Sequence, residues 1–157
     1  MREIKFRGKA KSNGQWVYGN LSYRVADDGY SCVYIEDQGW DGGLTEVDPE
    51  TVGQYTGLKD KNGVEIYEGD IIRVREYLNL GFENFSGEKY YDVFSYDELK
   101  GEMLKEYTTP VEWEDGTFVI SSDQERDMYF SCLFGDMRRS YPIFEFEITG
   151  NIHDKKE

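Results

Sequence analysis

Residues 52–72 read VGQYTGLKDKNGVEIYEGDII, and the order of turn-formers and strand-formers in this stretch decides the fold class. Asn62-Gly63 is a tight-turn pair. Glycine reaches positive φ without a Cβ clash, and asparagine tolerates the left-handed region better than most residues. The pair separates a segment ending at Leu58 from the strand-like Val64–Tyr67. Glu68-Gly69-Asp70 is a second turn, and it opens the apolar-rich run Ile71-Ile72-Arg73-Val74. None of these residue types forms a nucleophile, a ligand cluster or a phosphate cradle. The stretch speaks of strands and turns.

The same device recurs on either side. Asn13-Gly14 separates Ile4–Arg7 from Trp16–Tyr23, and Asp115-Gly116 separates Val111–Trp113 from Thr117–Ile120. Both predict β-hairpins. YSCVYI at 30–35 reads as a further strand, and IFEFEITGN at 143–151 as a late one. Helix signals are few. Asp48-Pro49-Glu50-Thr51 predicts one helical turn, with Asp48 capping and Pro49 at the first helical position. Ser95 and Glu98 fit a capping box, and Leu99, Met103, Leu104 and Tyr107 share a helical face, which predicts a helix over 96–107. Ser122 and Glu125 suggest a short helical turn over 123–128.

The pattern reads as a mainly β, β-rich α+β chain. A Gly-Asp turn before an alternating strand is how many small SH3-like barrels open. The expectation is therefore an SH3-like barrel over 59–157 with an N-terminal β extension, 1–58, packed on it. The polar segment 77–109 then becomes a helix-bearing insertion, too long for a plain hairpin loop.

The chain has 157 residues, 16% of them aromatic, which is enough to build a core despite 32% charged residues. Net charge is −14 and unevenly spread. Arg2, Lys5, Arg7, Lys9 and Lys11 face only Glu3 in the first eleven residues. From Val25 to Leu58 there are eight acids and no Lys or Arg, and from Glu76 to Thr109 eight acids against three lysines. Such a field repels a phosphate backbone, which disfavours nucleic-acid binding. The basic N-terminal strand reads as a solvated edge whose lysines discourage strand-to-strand aggregation, or as a local cationic patch. No apolar run approaches the ~20 residues that cross a bilayer, and the charged N-terminus lacks a signal-peptide core. A cytosolic protein with no membrane contact is the expectation.

Four segments together resemble the YopX family of phage and prophage proteins. They are Ile4-Lys5-Phe6-Arg7 with Trp16 following, residues 51–72, VEWEDGTF at 111–118, and ITGNIHD at 148–154. The resemblance spans Lys5 to Asp154 in the family's order. It implies origin in a phage or in integrated phage DNA, in a bacterial cytoplasm, and brings no activity or catalytic residue with it. This chain departs from the family pattern at Lys9-Ala10 and in the long acidic segment.

Catalytic signals are missing. His153 is the only histidine, and there is no nucleophile elbow, P-loop or dinucleotide-binding fingerprint. The expectation is a protein that is not an enzyme and takes no cofactor. Cys32 and Cys132 belong to no C-x-x-C and read as small semi-buried hydrophobes. Asp37, Asp41, Gly42 and Asp48 fall at calcium-loop spacing, but Gly39 stands at the third ligand position and Asp48 replaces the final Glu, so an ordinary acidic loop is favoured. Gln54, Tyr55, Thr56, Lys59 and Asp60 form a candidate recognition loop; the competing reading, which we favour, packs Tyr55 inward and makes the stretch a connection. Two functions lead, with direct nucleic-acid binding through the basic N-terminal strand and aromatics a less favoured third. One is a binding module that engages a host or phage protein through an acidic, Tyr-rich surface, with mimicry of DNA charge as a special form. The other is an assembly role as a homo-oligomer.

Overall fold

The computed structural model describes residues 3–25, 29, 31–36, 43–79, 100–114, 117–122, 125–129 and 143–154. These form eleven strands and one short 3-10 helix: β1 (Phe6–Lys9), β2 (Trp16–Val25), β3 (Ser31–Glu36), β4 (Leu44–Glu46), η1 (Pro49–Thr51), β5 (Gly53–Lys59), β6 (Glu65–Tyr67), β7 (Asp70–Asn79), β8 (Lys100–Glu114), β9 (Thr117–Ser122), β10 (Glu125–Tyr129) and β11 (Ile143–Asn151). They divide into two antiparallel sheets. The first has the order β4-β3-β2-β1-β5-β6 and the second β10-β9-β8-β7-β11.

The 52–72 stretch joins them. Its β5–β6 hairpin completes the first sheet, and the Glu68-Gly69 turn delivers the chain into β7 of the second. The hairpin turn is tied by Asp60, whose Oδ1 accepts from the backbone N–H of Asn62 (2.8 Å) and of Val64 (2.9 Å). Gly63 takes φ 81° there, as the turn chemistry requires. The turn also leans on the second sheet: Lys61 N–H donates to the Phe146 carbonyl on β11.

Each sheet has its own core. Phe6, Val17, Leu21, Val33, Ile35, Val47 and Val52 cluster against the first. Ile72, Val74, Val111, Phe118, Ile120 and Phe146 do so in the second, where Leu58 and Ile66 from the β5–β6 hairpin join them. Each large apolar side chain so buried contributes roughly 1.5–3 kcal/mol. The hairpin therefore belongs to the first sheet by hydrogen bonding and to the second by packing.

Several expectations hold. Asp48 caps η1 by accepting from Glu50 N–H, with Pro49 leading the turn. β1 and β2 pair across Asn13-Gly14, with Gly14 at φ 71°. β8 and β9 pair from Val111↔Ile120 to Glu114↔Thr117, with the Asp115-Gly116 turn itself outside the described residues.

Four expectations are corrected. Among the described residues the sheets stay open and no barrel closes, because β6 hydrogen-bonds to β5 in the first sheet and β10 and β11 remain separate edges of the second. Residues 100–107 are strand rather than helix. β7 supplies partners from Ile71↔Pro110 to Asn79↔Lys100, and these long-range hydrogen bonds override the weak local helix signal. Met103 and Leu104, expected to share a helical face, stand 54% exposed on the strand. Ser95, Glu98 and Leu99 lie outside the described residues, and no helix-bearing insertion emerges from the 77–79 and 100–109 flanks. Glu125 to Met128 belong to a strand that pairs with β9 through a register shift, not to a helical turn. Finally, β1 is no edge: it lies between β2 and β5.

Candidate functional site

β1 alternates strictly. Phe6, Gly8 and Ala10 point to the core side, where Ala10 is buried and Phe6 packs on the Val33–Ile35–Val47 cluster. Lys5, Arg7, Lys9 and Lys11 take the other face, as the period of two dictates. Each of these cations meets an acid from far along the chain. Lys5 reaches Glu65 at 2.7 Å, Arg7 reaches Asp70 at 2.7 Å, Lys9 reaches Asp154 at 3.4 Å, and Lys11 reaches Glu46 at 2.7 Å.

Arg7 is the centre of this row. It is 6% exposed and Asp70 2%. Its Nη2 donates to Asp70 Oδ1 and to the Glu68 carbonyl. Asp70 also accepts from Tyr67 N–H (2.9 Å) and from Asn151 Nδ2 (3.3 Å). The guanidinium lies 4.5 Å from the Trp16 ring and 4.9 Å from that of Tyr67, within cation–π range of both. Arg7 Nε is buried without a hydrogen-bond partner. Gly53 allows the approach of the Glu68 turn, since a Cβ there would stand 2.5 Å from the Glu68 carbonyl oxygen.

Above this pair opens a cleft of about 450 Å³, lined by Arg7, Tyr18, Val64, Glu65, Tyr67, Asp70 and Ile148. It draws on both sheets. Tyr67 is held edge-to-face against Tyr18 (5.6 Å) and tilted against Tyr55 (5.4 Å). Its hydroxyl donates to Glu65 Oε2 at 2.8 Å. Burial, then that hydrogen bond, pushes the Tyr67 hydroxyl far above the usual tyrosine range, so it keeps its proton at neutral pH. Burial alone would raise the Glu65 carboxyl, but hydrogen bonds from Lys5 and Tyr67 outweigh it and hold the group low. The cleft thus offers ring faces, a fixed carboxylate and a buried guanidinium.

The residues singled out in 54–60 are split by the structure. Tyr55 is buried and packs on Tyr67, and Thr56 is buried with its hydroxyl donating to the Ile66 carbonyl. Asp60 is the buried turn cap. Gln54 is half-buried, with its carbonyl accepting from Glu68 N–H. Lys59 is exposed. They do not share one surface, and none of them lines the cleft. His153 is half-buried after β11, its carbonyl accepting from Lys9 Nζ. Cys32 is half-buried on β3, whereas Cys132 and residues 37–42 of the calcium-like spacing are not among the described residues. No group of three metal-ligating side chains occurs among the described residues, nor does a helix long and apolar enough to cross a membrane.

The cleft residues were missed from sequence, though a signal existed. Lys5-Phe6-Arg7-Gly8-Lys9-Ala10-Lys11 alternates charge with apolar or small residues, the mark of a strand buried on one side. Glu65, Glu68 and Asp70 are the charged residues of EIYEGDII, and Glu65 and Asp70 were the available partners.

Two open antiparallel sheets seamed by a buried arginine–aspartate pair define a β-rich protein with a cleft at that seam. The chain belongs to the YopX protein family, whose pattern matches residues 5–157. No curated protein matches it. Among solved structures it is similar to protein EF1440 from Enterococcus faecalis, at 23% identity over 98% of this chain and 95% of that one, with a TM-score of 0.45.

Proposed function

We propose that this chain is a non-catalytic accessory protein, of phage or prophage origin as the resemblance implies, that binds a host or phage protein carrying a basic surface. The charge accounting carries the reading. Lys5, Arg7, Lys9, Lys11, Lys61, Arg73, Arg75 and Lys100 are all held in internal ion pairs. Glu36, Glu50, Glu102, Glu112 and Glu114 are exposed and join none among the described residues. These five outnumber Arg24 and Lys59, the exposed cations outside ion pairs among the described residues, so the net outward field is acidic, which steers cationic partners and repels nucleic acid. Exposed aromatics supply contact area at low entropic cost: Tyr23 is 68% exposed, and Trp113, flanked by Glu112 and Glu114, 46%.

Capture by the tagged full chain from nuclease-treated host lysate, at low and at high salt, tests this. A stoichiometric basic partner released as screening shortens from about 10 Å to about 3 Å is the expected result. A partner retained unchanged at high salt removes the electrostatic basis. A self-associated complex without a partner transfers the weight to an assembly role. A released partner that itself binds DNA narrows the reading to charge mimicry.

A further inference from the structure

The fold uses only part of the Arg7 guanidinium. Nη2 donates to Asp70 Oδ1 at 2.7 Å and to the Glu68 carbonyl at 3.2 Å, and Nε is buried with no acceptor. Nη1, the remaining end, donates to no described residue, and unlike Nε it is not sealed from solvent. Arg7 is 6% exposed and borders the cleft of about 450 Å³, so the open space beside it is that cleft. A guanidinium N–H in this position offers a ligand oxygen or ring nitrogen a charge-assisted hydrogen bond.

The neighbouring groups decide the charge of such a ligand. Glu65 is engaged by Lys5 and by the Tyr67 hydroxyl, and Asp70 by Arg7, Tyr67 N–H and Asn151. The ionised groups at the cleft are thus matched among themselves. An anion would face Glu65 and compete with Asp70, and a cation would meet Arg7. Either would give up its hydration with no unmatched counter-charge to replace it, a cost that an uncharged molecule avoids. The remaining walls are apolar and already positioned. Tyr18 is exposed yet held edge-to-face on Tyr67 at 5.6 Å, which presents a fixed ring for another to pack on. Val64 from the β5–β6 hairpin and Ile148 from β11 complete the lining. Asp60 accepts from the backbone N–H of both, at 2.9 Å and 3.4 Å, which fixes the walls from the two sheets relative to each other. The volume lies within the range of small-ligand pockets.

We propose that this cleft binds a small, uncharged aromatic molecule that carries a hydrogen-bond acceptor. The acceptor meets Arg7 Nη1, and the ring lies between Tyr18, Val64 and Ile148. This small-molecule site is independent of the protein-binding reading.

The test uses the full-length chain, methyl-labelled at valine and isoleucine for NMR, and four probes: benzamide, toluene, cyclohexanecarboxamide and benzoate. Benzamide is expected to move the Val64 and Ile148 methyl resonances in a saturable way. Toluene lacks the acceptor, cyclohexanecarboxamide lacks the aromatic ring, and benzoate adds a charge. Each should bind at least about threefold more weakly, as loss of a hydrogen bond or a ring contact does. Tyr18→Leu and Val64→Ser, both at exposed positions, should each weaken benzamide by about threefold while leaving the unfolding midpoint close to that of the parent. Val64→Ser keeps the test valid if Tyr18→Leu loosens the fold, because Asp60 engages only the Val64 backbone. Methyls unmoved by benzamide, any of the other three probes binding as tightly as benzamide, or undiminished benzamide binding in a folded variant overturns the proposal. Salt-sensitive capture of a basic partner would survive each of those results, so the two readings fail separately.

Discussion

Arg7 holds one carboxylate, Asp70, at the seam between the sheets, where both groups are almost fully buried. Arg75 contacts three, Glu106, Glu145 and Glu147, on the polar face of the second sheet, where Lys61, Arg73 and Lys100 join the same network. By count the second arrangement is richer, yet physical chemistry ranks them the other way. Removing one partner from a buried pair strands a charge in low dielectric, at a cost of about 3–5 kcal/mol, whereas the Arg75 network is half-buried and still screened by water, which moves its pairs toward the about 0–1 kcal/mol of exposed ones. The seam depends on one pair. The polar face spreads modest contributions over many.

The largest test of that contrast is Arg7→Ala, which should lower unfolding stability in urea by about 3–5 kcal/mol by leaving Asp70 buried and unpaired. A loss below about 1 kcal/mol would place the seam's strength elsewhere. Next comes Asp60→Ala, which removes the acceptor of three backbone N–H groups, those of Asn62, Val64 and Ile148. A loss of about 2 kcal/mol is expected in thermal unfolding, with Asp60→Asn retaining most of it. A drop no larger than that of a surface substitution would mean that the hairpin is held by Leu58 and Ile66 packing alone.

Acid titration probes the polar face. Burial raises the Glu145 carboxyl, but hydrogen bonds from Lys100 and Arg75 outweigh it and leave the group lowered. Glu147 is lowered chiefly by its hydrogen bond from Lys61. A carboxyl whose folded pKa lies below its unfolded value stabilises the fold above the ordinary range, near about 4.3. That contribution disappears as pH falls through the lower, folded value. Stability should therefore decline below the ordinary glutamate range, and Arg75→Ala should make the decline shallower. At neutral pH the same Arg75→Ala should cost no more than about 1 kcal/mol and less at high salt. A cost matching that of Arg7→Ala would erase the distinction between the two sites.

The smallest effect concerns Glu68. Burial raises its carboxyl, partly offset by a hydrogen bond from the Gln54 backbone. The ionised form is thus disfavoured in the fold, so Glu68→Gln should give a small gain in stability at neutral pH. The gain should vanish below the ordinary carboxylate range, where Glu68 is protonated in both states. An equal gain at acid pH would assign it to packing instead.

The turns were legible because their determinants are local. Asn62-Gly63 and Asn13-Gly14 require particular backbone angles that few other residues accept, and Asp48-Pro49 carries its own cap. The 100–107 segment was misread because Met103, Leu104 and Tyr107 satisfy a helical period over a short window, while the partner that makes them a strand, β7, lies about thirty residues earlier. The basic N-terminal strand was read as an edge because local lysine content resembles edge protection. Its interior position depends on β5, more than forty residues away. The candidate loop was half legible: Tyr55 and Asp60 are structurally important, but the cleft is built from Arg7, Glu65, Tyr67 and Asp70, whose proximity no local rule reveals.

The amino-acid sequence by itself determined the β-rich character, the turn positions, the acidic surplus and the family, since each rests on residue preferences or on an ordered set of motifs. Only the tertiary structure decided which strands share a sheet, that no barrel closes among the described residues, and which of the many charges are buried. Those outcomes depend on pairings between residues such as Arg7 and Asp70, 63 positions apart. Local dihedral preference can offer a strand, but only long-range hydrogen bonding and burial choose its neighbour.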